Sequence, residues 1–113
     1  MTEFDVREFR DACGQFATGV TVITTRSAEE GEHGMTANAF MSISLDPPLI
    51  AVSIAEKAKM LVRIRKASRF AVSILARPME SVAWHFSGKS NQEIREMFEE
   101  CDGLPVIRNA LAA

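Results

Sequence analysis

Four polar side chains stand at even positions between residues 36 and 44, and this spacing could build a binding surface. Thr36, Asn38, Ser42 and Ser44 carry hydroxyl or amide groups at even positions, whereas the odd positions hold methionine, alanine or isoleucine. Because successive side chains of a strand point to opposite faces, an extended chain would present these polar groups on one face. Such a face could hydrogen-bond to a polar ligand. The alternative is an ordinary hairpin strand with a solvated polar face.

The neighbouring segments predict the sheet that would position this strand. β-Branched residues at 20–25 indicate a strand, and the charged, glycine-containing residues 27–32 indicate a hairpin loop that pairs the two strands. Asp-Pro-Pro at 46–48 ends the polar strand, because proline cannot donate a backbone hydrogen bond and disfavours helix before it. Residues 49–54 are almost wholly apolar, which predicts a strand buried on both faces, and residues 69–75 predict another strand.

Apolar residues at helical spacing predict four helices. The first begins near Thr2 and ends before Gly19, the second lies between the last two strands, and the third opens at Pro78. The fourth runs from Asn91 to a stop at Gly103. The residues expected on the buried faces are Val6, Phe9, Cys13 and Phe16; Met60, Leu61, Ile64 and Ala67; Val82, His85 and Phe86; and Ile94, Met97 and Phe98.

Length and composition are those of an ordinary globular chain. We expect one domain spanning residues 1–113, with 47% apolar and 25% charged residues. The net charge of −2 and the interspersed signs predict neither a nucleic-acid nor a membrane partner, and the apolar run 49–55 is too short to cross a bilayer. Cys13 and Cys101 are interpreted as structural thiols in a reducing compartment. With no secretory signal at the N-terminus, the expected location is cytoplasmic.

Other kinds of chemistry find little support. His33, His85 and the two isolated cysteines lack the spacing of a metal site, so no metal is expected. Nothing around either cysteine indicates an activated nucleophile. We place His33 in the charged hairpin loop and interpret His85 as a packed histidine. Trp84 is the only tryptophan, and core packing is its default interpretation, with a place near a ligand as the alternative.

Residues 34–50 read Gly-Met-Thr-Ala-Asn-Ala-Phe-Met-Ser-Ile-Ser-Leu-Asp-Pro-Pro-Leu-Ile, which resembles the signature of the flavin reductase-like family. In that family Gly-x-Thr-x-Asn-Ser/Ala-Phe runs into Ser-x-Ser-Leu-Asp-Pro-Pro-Leu, and the resemblance extends from about Phe9 to the C-terminus. It implies a mainly β fold with helices (α+β), the FMN-binding split β-barrel. It also implies a homodimeric NAD(P)H:flavin oxidoreductase, which takes NADH or NADPH, reduces FMN or FAD by hydride transfer and can supply a partner monooxygenase.

The resemblance also assigns a flavin site. Family members hold the flavin against the Thr-x-Asn segment, the loop after the next strand, and a Phe-Ser/Ala-x-Lys/Arg loop. Thr36 and Asn38 are the expected hydrogen-bonding partners of the ring and ribityl chain, and Lys59 and Lys89 those of the phosphate. The complete set of expected contacts is Thr36, Ala37, Asn38, Ala39, Ser42, Ser53, Ile54, Ala55, Lys59, Met60, His85, Phe86, Ser87, Gly88 and Lys89. No catalytic residue is assigned, because hydride transfer between two cofactors needs no acid or base triad.

The chain departs from the family pattern in two places. Many relatives carry Asn-Lys-x-Ser-x-Thr where residues 55–60 read Ala-Glu-Lys-Ala-Lys-Met, so we expect altered phosphate affinity or an altered preference between FMN and FAD. The family continues into strands with a Gly-Asp-His motif, whereas this sequence stops at Ala113. We therefore expect a C-terminally short barrel that binds flavin better than it reduces it, with His85 as the only substitute histidine. The alternatives are a non-catalytic flavin-binding or dimerisation module and a pyridoxamine phosphate oxidase-like FMN protein.

Overall fold

The computed structural model describes residues 4–88 and 97–113, which form three helices and seven strands. In chain order the elements are α1 (Val6–Gly14), β1 (Thr21–Ser27), β2 (Gly31–Ala37), β3 (Phe40–Leu45), β4 (Pro48–Val52), α2 (Lys59–Ala67), β5 (Ala71–Ile74), α3 (Glu80–His85), β6 (Phe98–Cys101) and β7 (Leu104–Ile107). The fold is mainly β with helices, as predicted. No helix within these two ranges is long and apolar enough to cross a membrane.

Strand β1 is the centre of the main sheet, and its β-branched residues explain that position. It pairs antiparallel with β2 on one edge and with β5 on the other. Residues 21–25 are all buried. The predicted hairpin between β1 and β2 is confirmed, because Ser27 pairs with Gly31 across the turn. One cluster of the hydrophobic core consists of Val22, Leu75, Met79, Val82 and Ile107.

The polar segment 36–44 does not form one continuous strand, which corrects the sequence prediction. β2 ends at Ala37 and β3 begins at Phe40, and the two strands belong to different sheets. A bulge between Ser42 and Ser44 shifts the register of β3 against β4, so the alternation of faces is broken there as well. The four polar side chains are thus divided between two sheets and the bend that joins them.

Strand β4 is exposed, although its apolar sequence predicts burial on both faces. Leu49 is 50% exposed and Ile50 is 47% exposed. Among the described residues, β3 is the only strand that pairs with β4, and the two form a separate sheet. Because a sheet of only two strands buries few side chains, the apolar side chains of β4 lie at the surface of the single chain.

Helix α1 is also more exposed than predicted. The carboxylate of Asp5 caps it by accepting hydrogen bonds from two N–H groups of the first turn, at 2.8 and 3.3 Å. The predicted cap, Thr2, lies outside the described residues. No residue of α1 is buried, and Phe16 lies beyond the end of the helix and is exposed. The positions that were expected on a buried face and are exposed are Val6, Phe9, Cys13 and Phe16.

Helices α2 and α3 and strand β5 agree with the sequence prediction. Met60 is completely buried, and the other predicted inward positions of α2 are half-buried. In α3, Val82 is buried, whereas His85 and Phe86 at its end are half-buried. These two helices bring the first turn of α2 and the end of α3 to the same side of β2, where the site described below lies.

The hairpin of β6 and β7 stands where the sequence predicts the end of a fourth helix. The two strands pair antiparallel, and Gly103, with a φ of +83°, lies in their turn. All residues of β7 are buried, and the Ile107 N–H donates to Ser73 Oγ at 2.9 Å. Phe98 therefore lies in a strand, because β7 gains burial against the core. The predicted start of that helix, at Asn91, lies outside the described residues.

Both cysteines lie at the surface. Cys13 on α1 and Cys101 on β6 are free thiols and are exposed. Their interpretation as structural thiols is therefore wrong for this chain, because an exposed cysteine contributes little to packing.

Candidate functional site

The end of α3 is fixed across β2 at a place that we name the β2–α3 junction, formed by residues 34–36 and 83–88. Thr36 donates its backbone N–H to the Phe86 carbonyl at 3.1 Å and its hydroxyl to the Ala83 carbonyl at 2.6 Å. Ser87 Oγ donates to the same Ala83 carbonyl at 2.8 Å. The hydroxyl proton of Thr36 is thus used within the protein, so only its oxygen remains as an acceptor for a ligand.

A cavity of about 390 Å³ opens at this junction, and we name it the Trp84 cavity. Its lining includes Thr36, Ala37, Asn38, Trp84 and Ser87. Trp84 is 53% exposed, so it is not the core residue that the sequence analysis takes as the default, and its indole N–H donates to Glu80 at 3.3 Å. An aromatic face beside amide and hydroxyl groups suits a planar ligand with polar edges.

A second cavity, of about 640 Å³, uses other residues of the same junction, and we name it the Lys59 cavity. Its lining includes Lys59, Met60, His85, Phe86, Gly88 and Phe98. The Phe86 ring lies edge-on to His85, with 4.7 Å between ring centroids, and 5.7 Å from the Phe98 ring. This cavity therefore combines an ammonium group with several aromatic rings.

His33 lines the Lys59 cavity from within β2, and not from the hairpin loop where the sequence analysis places it. Burial lowers the pKa of His33, and the positive charges of Arg63 and Lys59 lower it further, against the opposing charge of Glu30. Glu30 itself lies 3.7 Å from Arg63 in an ion pair. The imidazole of His33 is therefore neutral near pH 7.

Most of the predicted flavin contacts that the structure describes line one of these two cavities. Of the described residues in that set, those that line neither cavity are Ala39, Ser42, Ser53, Ile54 and Ala55. The carbonyl of Ala39, in the bend after β2, accepts from the Ser53 N–H at 2.9 Å, so the loop after β4 begins beside that bend. Ser42 is exposed on β3. Lys89 lies outside the described residues.

The structure also places at the site residues that the sequence analysis did not select. Gly34 and Met35 line the Lys59 cavity, and Glu80 and Ala83 line the Trp84 cavity. Helical spacing could have identified Ala83, because it lies one turn before Ser87. Within residues 4–88 and 97–113, no group of three or more His, Cys, Asp or Glu side chains could hold a metal ion.

Comparison with known proteins gives consistent matches. The model of the flavin reductase like domain matches residues 13–113. An NADH-dependent flavin reductase of Rhodococcus sp is 47% identical over 104 residues, which cover 90% of this chain and 59% of that protein. The reductase component of 4-hydroxyphenylacetate 3-monooxygenase of Thermus thermophilus is 48% identical over 86 residues, which cover 76% of this chain and 57% of that protein. The chain thus spans somewhat more than half of the length of these two relatives.

A solved structure shows the same fold. The flavin reductase PheA2 in its native state matches with a TM-score of 0.88 at 52% sequence identity, over 96% of this chain and 70% of that chain. The domain match covers nearly all of the sequence, and it includes every element from β1 to β7. This chain therefore belongs to the family of flavin reductase like domains.

Proposed function

We propose that this chain binds FMN or FAD at the β2–α3 junction and takes part in the reduction of that flavin by NADH or NADPH. The observation that carries the proposal is the convergence of three chain segments on two cavities: the end of β2, the first turn of α2 and the end of α3. The same three segments carry most of the flavin contacts that the family resemblance implies. The Rhodococcus relative, named an NADH-dependent flavin reductase, supports the same activity.

The residues present fit a flavin nucleotide. Both cavities fall within the range of about 300–1,000 Å³ that is usual for small-molecule sites. Lys59 supplies a positive charge for the phosphate, Asn38 can donate or accept at the ring or ribityl chain, and Thr36 can accept through its oxygen. The remaining predicted contacts stay in the proposal, and they are Ala39, Ser42, Ser53, Ile54, Ala55 and Lys89.

The chemistry asks the protein to bind and orient two cofactors. A bound flavin supplies the electron acceptor for the hydride. Residues at the junction hold the ring, exclude water from one of its faces and place hydrogen-bonding groups near its edge, where they favour the reduced state. Correct alignment of two bound reactants can by itself account for several kcal/mol of a reaction barrier. No acid or base is required of His33 or His85.

The proposal extends to the assembly. Apolar side chains are exposed along α1 and along the β3–β4 sheet, including Phe9, Leu45 and Leu49. Surfaces of this kind mark protein–protein interfaces, so we place this chain in a homodimer with the split β-barrel architecture. Light scattering at micromolar concentration should return twice the monomer mass. A stable monomer would contradict the dimer and leave flavin binding to be judged separately.

The proposal also covers the setting of the reaction. The Thermus relative is named the reductase component of a monooxygenase, which supports a partner monooxygenase that receives the reduced flavin. The chain acts as a single domain of residues 1–113. Its exposed free thiols suit a reducing compartment, so the proposed location is the cytoplasm.

Titration with FMN and with FAD, followed by flavin fluorescence, tests the binding. We expect saturable binding at micromolar flavin, and the combined substitution Thr36→Ala and Asn38→Ala should weaken it while the fold is retained. Ser81→Ala is the matched control, because Ser81 is exposed on α3 and lines neither cavity. Unchanged binding by the double variant would contradict the assigned site.

Steady-state oxidation of NADH and NADPH at saturating flavin tests the reaction. Flavin-dependent oxidation supports the reductase. Flavin binding without any oxidation would instead support a non-catalytic flavin-binding module, and oxidation of pyridoxamine phosphate would support an oxidase of that substrate.

A further inference from the structure

Gly34, on the β2 side of the junction, contacts the ring of Phe86, on the α3 side. A Cβ atom added at Gly34 would lie 2.6 Å from Phe86 Cδ1 and 2.7 Å from Phe86 Cε1, distances that real Cβ contacts do not reach. The backbone of Gly34 is not in the left-handed region, which in this chain includes Gly31, Gly88 and Gly103. Alanine is therefore compatible with the backbone at Gly34, and the ring contact alone requires glycine there.

Contacts restrict the movement of the Phe86 ring away from Gly34. Phe86 packs against the buried cluster that contains Val22, Val82 and Ile107, and the Phe98 ring lies 5.7 Å away. Its carbonyl also accepts the Thr36 N–H, which ties the backbone of the same residue to β2. A side chain larger than hydrogen at Gly34 would therefore displace the segment 85–88, and with it one wall of the Lys59 cavity.

We propose that Gly34 is a positioning residue for flavin binding, because its missing side chain lets the Phe86 ring sit flush on β2 and so sets the place of the segment 85–88 in the Lys59 cavity. This inference rests on the proposed function. Gly34 lines the Lys59 cavity but has no side chain to bind a ligand, so its effect passes through Phe86.

The test is the Gly34→Ala variant titrated with FMN and with FAD, well below its unfolding temperature. The strain lowers flavin affinity to the extent that the displaced segment 85–88 must be restored to bind the ligand. If most of a typical overpacking cost falls on binding, the flavin Kd rises about tenfold, which is the result we expect. The visible absorption spectrum of the bound flavin should also change, because the displaced segment 85–88 alters the surroundings of the flavin ring in the folded variant. Gly19→Ala is the matched control: an added Cβ there meets nothing within 4 Å and its φ is ordinary.

A second substitution separates the ring contact from a general loss of stability. Valine at position 86 lacks the two ring carbons that approach Gly34 most closely. In the Phe86→Val background, Gly34→Ala should change the flavin Kd by less than about twofold. The difference from the roughly tenfold effect in the wild-type background would be a strong coupling in a double-mutant cycle. The bound-flavin spectrum should then be the same with glycine or alanine at position 34.

The outcomes are distinct. If the wild type binds flavin and Gly34→Ala binds it equally well, or if Gly34→Ala weakens binding equally in both backgrounds, the positioning role is wrong. If the wild type binds no flavin, the proposed function fails and this role fails with it. Thermal unfolding of the four proteins of the cycle would still show whether Gly34 and Phe86 are coupled in the fold.

Discussion

Replacing Thr36 with valine removes one hydroxyl group and keeps a side chain of nearly the same shape. The hydroxyl donates to the Ala83 carbonyl at 2.6 Å, whereas the backbone bond from Thr36 to Phe86 does not depend on the side chain. The variant therefore tests one of the bonds that hold α3 across β2. Thr36→Ser is its matched control, because serine keeps the hydroxyl and loses only the methyl group.

The size of the effect follows from the partners that remain. A hydrogen bond of this kind contributes about 0.5–1.5 kcal/mol net, and the loss is larger when the abandoned group is buried without another partner. The Ala83 carbonyl keeps the bond from Ser87 Oγ at 2.8 Å, so it is not left without a donor. We therefore expect the free energy of unfolding to fall by about 1 kcal/mol and Tm to fall by roughly 3–6 °C.

Flavin affinity should change with the same bond. Because the segment 83–88 contributes to both cavities, a loss of about 1 kcal/mol at the junction can raise the flavin Kd by up to about fivefold. The assays are thermal unfolding by circular dichroism and flavin titration of the wild type and both variants. If Thr36→Val equals the wild type in both assays, or if Thr36→Ser is as defective as Thr36→Val, then the hydroxyl does not hold the junction and this reasoning is refuted.

Two further predictions concern the fold around the site. Ser73→Ala removes the Oγ that accepts the hydrogen bond of the Ile107 N–H in a buried position. The free energy of unfolding, measured by denaturant titration, should therefore fall by about 1–3 kcal/mol. A smaller change would mean that the N–H finds another acceptor. The second prediction concerns His33, whose pKa in the folded protein is lowered from the ordinary 6.5. Between the folded-state pKa and 6.5, the unfolded chain binds a proton that the folded chain does not. The free energy of unfolding should therefore be highest above pH 6.5 and should fall as pH decreases from 6.5 to the folded-state pKa. Unfolding of His33→Gln measured over the same pH range should lack that component, and identical pH profiles for the two proteins would contradict the prediction.

Local sequence pattern predicts the central hairpin and the two helices that reach the site. β1 and β2 are read correctly because β-branched residues flank a charged, glycine-containing turn, and α2 because its apolar positions recur with helical period. These elements position Thr36, Lys59 and the end of α3. The signature of residues 34–50 identified the β2 side of the junction, and the Phe-Ser/Ala-x-Lys/Arg loop of the same family resemblance identified the end of α3. Pattern alone left a solvated hairpin strand as an alternative.

The errors arise where long-range contacts decide the structure. The even spacing of the polar residues, which only Phe40 interrupts, predicts neither the bulge in β3 nor the change of sheet after Ala37. Phe98 satisfies a helical spacing, yet its strand pairs with β7, whose burial against the core outweighs local preference. The contact of Gly34 with Phe86 joins residues distant in the sequence, so only the folded chain reveals why glycine is needed.

Trp84 offers a direct report on the central claim, that flavin binds at the β2–α3 junction. It is the only tryptophan of the chain, and it lines the same cavity as Thr36 and Asn38. Because flavins absorb where tryptophan emits, a flavin bound in that cavity would quench Trp84 fluorescence strongly. Free tryptophan amide, titrated in parallel, corrects for light absorbed by unbound flavin.

The measurement is Trp84 emission during titration with FMN and with FAD, compared with the flavin signal from the same samples. We predict strong, saturable quenching of Trp84 emission with the same Kd as the flavin signal. The flavin Kd of the variant Trp84→Phe should lie within a few fold of the wild-type Kd. Tryptophan emission that stays unchanged up to tens of micromolar flavin, after correction, would contradict binding at this junction.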